Sequence, residues 1–154
     1  MRYFCYVLYN RRFQNLTLYH DHQTLIRQCC ARGNEKFTFA GSDYPSEVAW
    51  FDRDWDSEVW GPTGDVPHVV GRKEANAFGL YDMSGNVYEW VWDWFGNYHS
   101  EDQIDPIGLE HGEDRVQRGG CANDAPFSLT LSIRSLGNPN NASRWTGLRI
   151  ARSL

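Results

Sequence analysis

The sharpest pattern in the chain lies at residues 87–95, VYEWVWDWF, where aromatic and β-branched side chains dominate and predict a β-strand. Extended, the run puts Tyr88, Trp90, Trp92 and Trp94 on one face and Val87, Glu89, Val91, Asp93 and Phe95 on the other. A row of large rings predicts a face covered by a deep core. The opposite face holds two carboxylates among apolar neighbours, and a charge in such surroundings must be paired, hydrogen-bonded or bound to a cation. Just upstream, Ser84-Gly85-Asn86 predicts a sharp corner, with Asp82 as a third carboxylate within reach.

Elsewhere the pattern is weaker. Residues 24–30 predict a short helix, and 37–41 and 47–51 are short apolar stretches separated by Ser42-Asp43 turn chemistry. Residues 67–71 predict a short extended segment leading to the corner. Residues 97–114 are polar, with turn residues at Asp105-Pro106 and Gly112, and predict a long surface connection before 115–120 return to the core. No repeat or low-complexity tract marks a boundary.

A length of 154 residues corresponds to one domain with enough chain to bury a core, and seven tryptophans predict a fold with little regular structure held by large rings. The net charge of −5, with no basic cluster interleaved with aromatics, argues against a nucleic-acid partner. No apolar run is long enough to span a bilayer, and residues 1–13 lack the apolar region and cleavage site of a signal peptide. The chain as it stands is therefore expected in the cytoplasm. Cys5, Cys29, Cys30 and Cys121 follow no metal-ligand spacing and are expected as free thiols. The histidines at 20, 22, 68, 99 and 111 are too scattered for a zinc site.

The acids at the corner admit two readings. Asp82 brought back beside Glu89, with the carbonyls of Gly85 and Val87 turned inward, would make an all-oxygen cage of the kind hard cations bind. Alternatively, Asp82 caps turn amides and Glu89 pairs with an arginine. A second acidic stretch, Asp52, Asp54 and Asp56, begins like a calcium loop. There, however, Glu58, Val59 and Trp60 stand where an oxygen ligand and a glycine are needed.

Residues 79–94, GLYDMSGNVYEWVWDW, resemble the signature of the formylglycine-generating enzyme, or sulfatase-modifying factor, family. Gly79, Leu80, Asp82, Met83, Gly85, Asn86, Tyr88, Glu89 and Trp90 match its pattern. Arg115-Val116, Arg118-Gly119-Gly120, Arg134 and Gly147-Leu148-Arg149 follow in family order, with Leu148 where relatives usually carry phenylalanine. The resemblance implies an α+β, C-type-lectin-like domain with short strands and much irregular structure. It covers 31–154, and Ala31-Arg32-Gly33 matches a family junction. Residues 1–30 stay unmatched where relatives carry a longer N-terminal half. It also implies a structural calcium ion on Asp82, Gly85, Val87 and Glu89.

The enzymes that name the family oxidise a substrate cysteine with copper held by two cysteines just after the Arg-Gly-Gly motif. Aligned on that motif, the two positions fall near Asp124 and Leu129, and neither is the soft thiolate Cu(I) requires. Copper is therefore not expected, and Cys121 is the one weak candidate for a divergent oxidase. Instead, residues 121–146 alternate family-like points with residues of no consistent type, and resemble the variable region of proteins diversified by retroelements. Asn138, Asn140 and Asn141 suit the adenine-rich codons altered there. Asn123, Asp124, Phe127, Ser128, Ile133, Ser135, Leu136, Ser143, Arg144 and Trp145 are the expected ligand face, with apolar anchors among adaptable polar contacts. The resulting expectation is a non-catalytic module binding protein or glycan. The alternatives are an oxidase using Cys121 and a truncated relative without function.

Overall fold

The computed structural model describes residues 3–8, 23–52, 66–97 and 108–153. The expected acidic loop from 53 onward, with Trp55 and Trp60, lies outside the described residues, as do His20, His22 and His99. Strand β1 (Tyr3–Leu8) and helix α1 (Gln23–Arg32) come first, followed by the single-turn helix α2 (Pro45–Val48). Strands β2 (Tyr88–Trp94), β3 (Arg115–Arg118), β4 (Ser135–Gly137) and β5 (Thr146–Ser153) complete a five-stranded sheet. Its order is β1-β5-β2-β3-β4, antiparallel throughout except for the parallel pair of β2 with β5. The helix expected at 24–30 is α1, which runs past residue 30 into the residues that carry the resemblance. In the segment expected to be extended, residues 67–69 form no regular element and 70–71 bend.

The apolar core lies beside the sheet in two clusters. Phe39, Val48, Ala49, Phe51 and Leu129 form one; Ala31, Ala40, Met83 and Leu131 form the other, with Cys30 and Leu80 packed against it. Each fully buried large side chain contributes about 1.5–3 kcal/mol. Phe51 and Leu129, at 1% and 0% exposure, carry the full effect.

Between these clusters runs the corner at 84–86, and each of its residues holds a different segment. The Ser84 hydroxyl donates to the Leu129 carbonyl (3.0 Å) and accepts from the Ala40 amide (3.2 Å). Gly85 N–H donates to the Gly119 carbonyl at 2.7 Å. Asn86 donates its amide to the Trp50 carbonyl, and its side chain clasps the His68 backbone with one accepted bond (2.7 Å) and one donated bond (3.1 Å). Asp82, Gly85 and Asn86 have φ of 54°, 75° and 68°, the left-handed region that glycine, asparagine and aspartate tolerate best. The corner predicted from residue types is thus a buried hub whose amides are satisfied by distant loops.

The expected burial of β2 is reversed. Glu89 and Val91 are buried, whereas Tyr88, Trp90, Trp92 and Trp94 remain partly exposed. Alternation sorts side chains onto two faces but does not say which face turns inward. Here the carboxylate face goes in because Glu89 is neutralised by arginines. The rings form the outer face, where the Arg115 guanidinium lies 4.4 Å from the Trp92 ring centroid and 3.5 Å from that of Trp94.

Candidate functional site

Strand register carries the rings into a cleft. Trp90 pairs with Gln117, Gln117 with Ser135, and Tyr88 with Thr146, so these residues form rows on one face across β5, β2, β3 and β4. They floor an open cleft of about 350 Å³. Cys121, Asn123 and Asp124 make one wall, β4 with Leu136, Gly137 and Asn138 makes another, and Asn141, Ser143 and Trp145 form the rim. Gln117 Nε2 donates to Thr146 Oγ1 at 3.2 Å, tying β3 to β5 across the floor.

Of the expected ligand face, Asn123, Asp124, Ser135, Leu136, Ser143 and Trp145 line this cleft. Phe127, Ser128, Ile133 and Arg144 lie outside it. A 3-10 turn at Pro126–Leu129 buries Leu129 and leaves Phe127 71% exposed away from the cleft. The expectation included Thr146 within the 121–146 segment but missed the floor residues Tyr88, Trp90 and Gln117. The signal for Tyr88 and Trp90 is the aromatic face of β2, which pattern alone turns toward the core.

The cleft's polar interior is ordered around Asp124. Its carboxylate accepts the Cys121 amide at 2.8 Å and lies near the Tyr88 hydroxyl. Burial first, then the Asp124 carboxylate, raises the Tyr88 phenol far above its ordinary value, so it serves as a neutral donor. Burial also pushes the Cys121 thiol up to about 12, with nearby Asp124 adding to the effect. At neutral pH the thiol is therefore protonated and is not an activated nucleophile. Cys29, Cys30 and Cys121 are free, as expected, and Cys29 is exposed. Iodoacetamide should therefore alkylate Cys29 on the folded chain and spare Cys121 until denaturant is added, as read by peptide mass mapping.

Behind the cleft, Glu89 is 2% exposed and each of its oxygens is bonded to a guanidinium group. Arg27 Nε from α1 donates to Oε2 at 2.8 Å, and Arg149 Nε from β5 donates to Oε1 at 2.7 Å. Burial acts to raise the Glu89 carboxyl, but the two arginines outweigh it and hold it below the usual carboxylate range. The same guanidinium groups reach the corner backbone: Arg27 donates to the Met83 carbonyl, and Arg149 to those of Tyr81 and Asp82. Asp82 is buried, with Oδ2 accepting the Gly71 amide at 2.7 Å and Oδ1 without a partner. Its carboxyl is raised, chiefly by burial.

The expected calcium set of Asp82, Gly85, Val87 and Glu89 lies at this corner, where two arginines occupy the Glu89 carboxylate. Calcium takes six to eight oxygens and favours anionic ones, yet both oxygens of Glu89 and the Asp82 carbonyl already accept from guanidinium groups. The alternative pairing of Glu89 with arginine is the arrangement present.

Comparison with known proteins agrees with the fold and with the motif order. Chaperone protein LppX of Paenibacillus barcinonensis is 30% identical over 129 residues, which is 78% of this chain and 43% of that protein. The formylglycine-generating enzyme of Mus musculus is 36% identical over 80 residues, 49% of this chain and 22% of the enzyme. Among solved structures, Treponema denticola variable protein 1 superposes with a TM-score of 0.74 at 27% identity, covering 85% of this chain and 46% of that one. The chain thus spans less than half the length of each. The architecture is the expected α+β, C-type-lectin-like fold. Among the described residues no helix is long and apolar enough to cross a membrane. Residues 26–154 match the family described as the sulfatase-modifying factor enzyme 1-like domain, and the chain belongs to that family.

Proposed function

We propose that this chain is a non-catalytic ligand-binding module that takes a protein or glycan in the cleft between β4 and the 121–124 and 141–146 segments. One observation carries the reading. Residues of the 121–146 stretch with no family-like type, such as Asn123, Leu136, Asn141 and Ser143, are exposed along the cleft, while the motif residues Arg118, Gly119 and Gly120 are buried beneath them. Such a division lets the contact residues change without disturbing the frame. Trp145 and Leu136 supply rigid apolar anchors among serine and asparagine hydrogen-bonding groups, a composition suited to adaptable recognition.

Likeness to a protein named as a variable protein supports the further reading that the stretch is diversified by a retroelement. A reverse-transcriptase gene beside this one, with a near-copy of the gene's 3′ end, would bear that out. Binding is tested by presenting the full chain to a random-peptide display library and a glycan array. Trp145→Ala should weaken the selected interaction at least about tenfold, the loss typical of a central aromatic anchor, without changing Tm. Undiminished binding by that variant would contradict the cleft as the site. Tight Cu(I) binding abolished by Cys121→Ser would favour an oxidase instead.

A further inference from the structure

The buried corner raises a separate question: what supplies its positive charge? Glu89 sits at 2% exposure with guanidinium nitrogens 2.8 Å from Oε2 and 2.6 Å from Oε1. These groups arrive from opposite ends of the chain, Arg27 on α1 and Arg149 on β5, and both go on to donate to corner carbonyls, at Met83 (2.8 Å), Tyr81 (2.9 Å) and Asp82 (3.1 Å). Together they carry the two positive charges of a calcium ion and satisfy backbone oxygens as well, with planar donors suited to a carboxylate.

We infer that Arg27 and Arg149 replace a bound calcium ion at the 82–89 corner, making this domain calcium-independent and tying α1 and β5 directly to the corner. A metal-held corner answers to the concentration of the ion, whereas this one is complete as soon as the chain folds. The arrangement also bears on the cleft. Arg149 lies on the same strand as Thr146, and Trp145 immediately precedes that strand, so the guanidinium anchoring β5 fixes the rim residues relative to the β2 floor.

The test compares the full chain in chelator with the same chain in millimolar calcium, and titrates it with terbium, a calcium stand-in excited through tryptophan. Tm should be the same in both buffers, and no saturable sensitised terbium emission should appear. The double variant Arg27→Met with Arg149→Met strips the donors from Glu89 and the corner carbonyls, beside the already unpartnered Asp82 Oδ1. It should start from a lower Tm and gain several degrees when calcium is added. A calcium-dependent rise in Tm of the unaltered chain, or terbium emission that calcium competes away, would overturn the inference. So would a folded double variant whose Tm ignores calcium. If the double variant does not fold, the two measurements on the unaltered chain decide.

Discussion

Glu89→Gln is expected to destabilise the fold by about 3–5 kcal/mol, the usual consequence of removing one partner from a buried ion pair. Glutamine keeps the shape of the side chain but leaves two guanidinium groups facing a neutral amide whose nitrogen end is itself a donor. Neither arginine can turn to solvent, because Arg27 and Arg149 have side chains only 10% and 5% exposed. Thermal unfolding should record a fall on the order of 10 °C. The pH dependence carries a sign. Since Glu89 titrates below its unfolded value, its contribution is present above the ordinary glutamate range and is lost as pH falls through the folded pKa. The unaltered chain should therefore lose stability on acidification below that range, and Glu89→Gln should remove that component of the acid transition. An unchanged Tm for the glutamine variant would mean the arginines find other partners at no cost.

Gly85→Ala is expected to cost still more than its conformation alone predicts. At φ +75° an L residue carries a penalty of about 1–2 kcal/mol. A Cβ there would also be driven into the Trp50 carbonyl oxygen, and would lie 2.9 Å from Leu129 Cδ2. The carbonyl cannot give way, because it accepts the Asn86 amide, and Leu129 is at 0% exposure in the core. Overpacking of this kind adds about 1–3 kcal/mol. Gly79 is the internal control. It has nearly the same φ, +74°, but a Cβ added there would meet nothing within 4 Å, so Gly79→Ala should show the backbone penalty alone. Paired urea or thermal denaturation of the two variants isolates the contact. Equal losses would show that the hub around residue 85 is looser than described.

Local residue types made part of this molecule legible. The strand at β2, the corner before it and the short helix at α1 follow from propensity, turn chemistry and pattern, and the motif order gave the α+β, lectin-like architecture. What local pattern does not contain is the identity of distant partners. Glu89 could be read as a charge requiring neutralisation, but its partners stand 62 and 60 residues away, one of them in a segment with no recognisable signature. The resemblance pointed to a metal there, while the geometry supplies arginines. Without those partners the carboxylate face reads as unsuited to burial, and the ring face of β2 reads as the core side. The same error hid the cleft floor. On the ligand face, residue type alone groups Phe127 and Ile133 with Leu136 and Trp145. Chain geometry then separated them, since a 3-10 turn and strand register decide which neighbours share a surface.

Amide hydrogen exchange on the full chain, with and without the ligand returned by the peptide or glycan screen, tests the central claim most directly. Protection is predicted at 121–124, 135–138 and 141–146, with β2 and the corner at 82–89 already protected in the free chain. Protection appearing elsewhere, for instance across residues 66–81, with the cleft segments unchanged, would contradict the assignment of the cleft as the functional face.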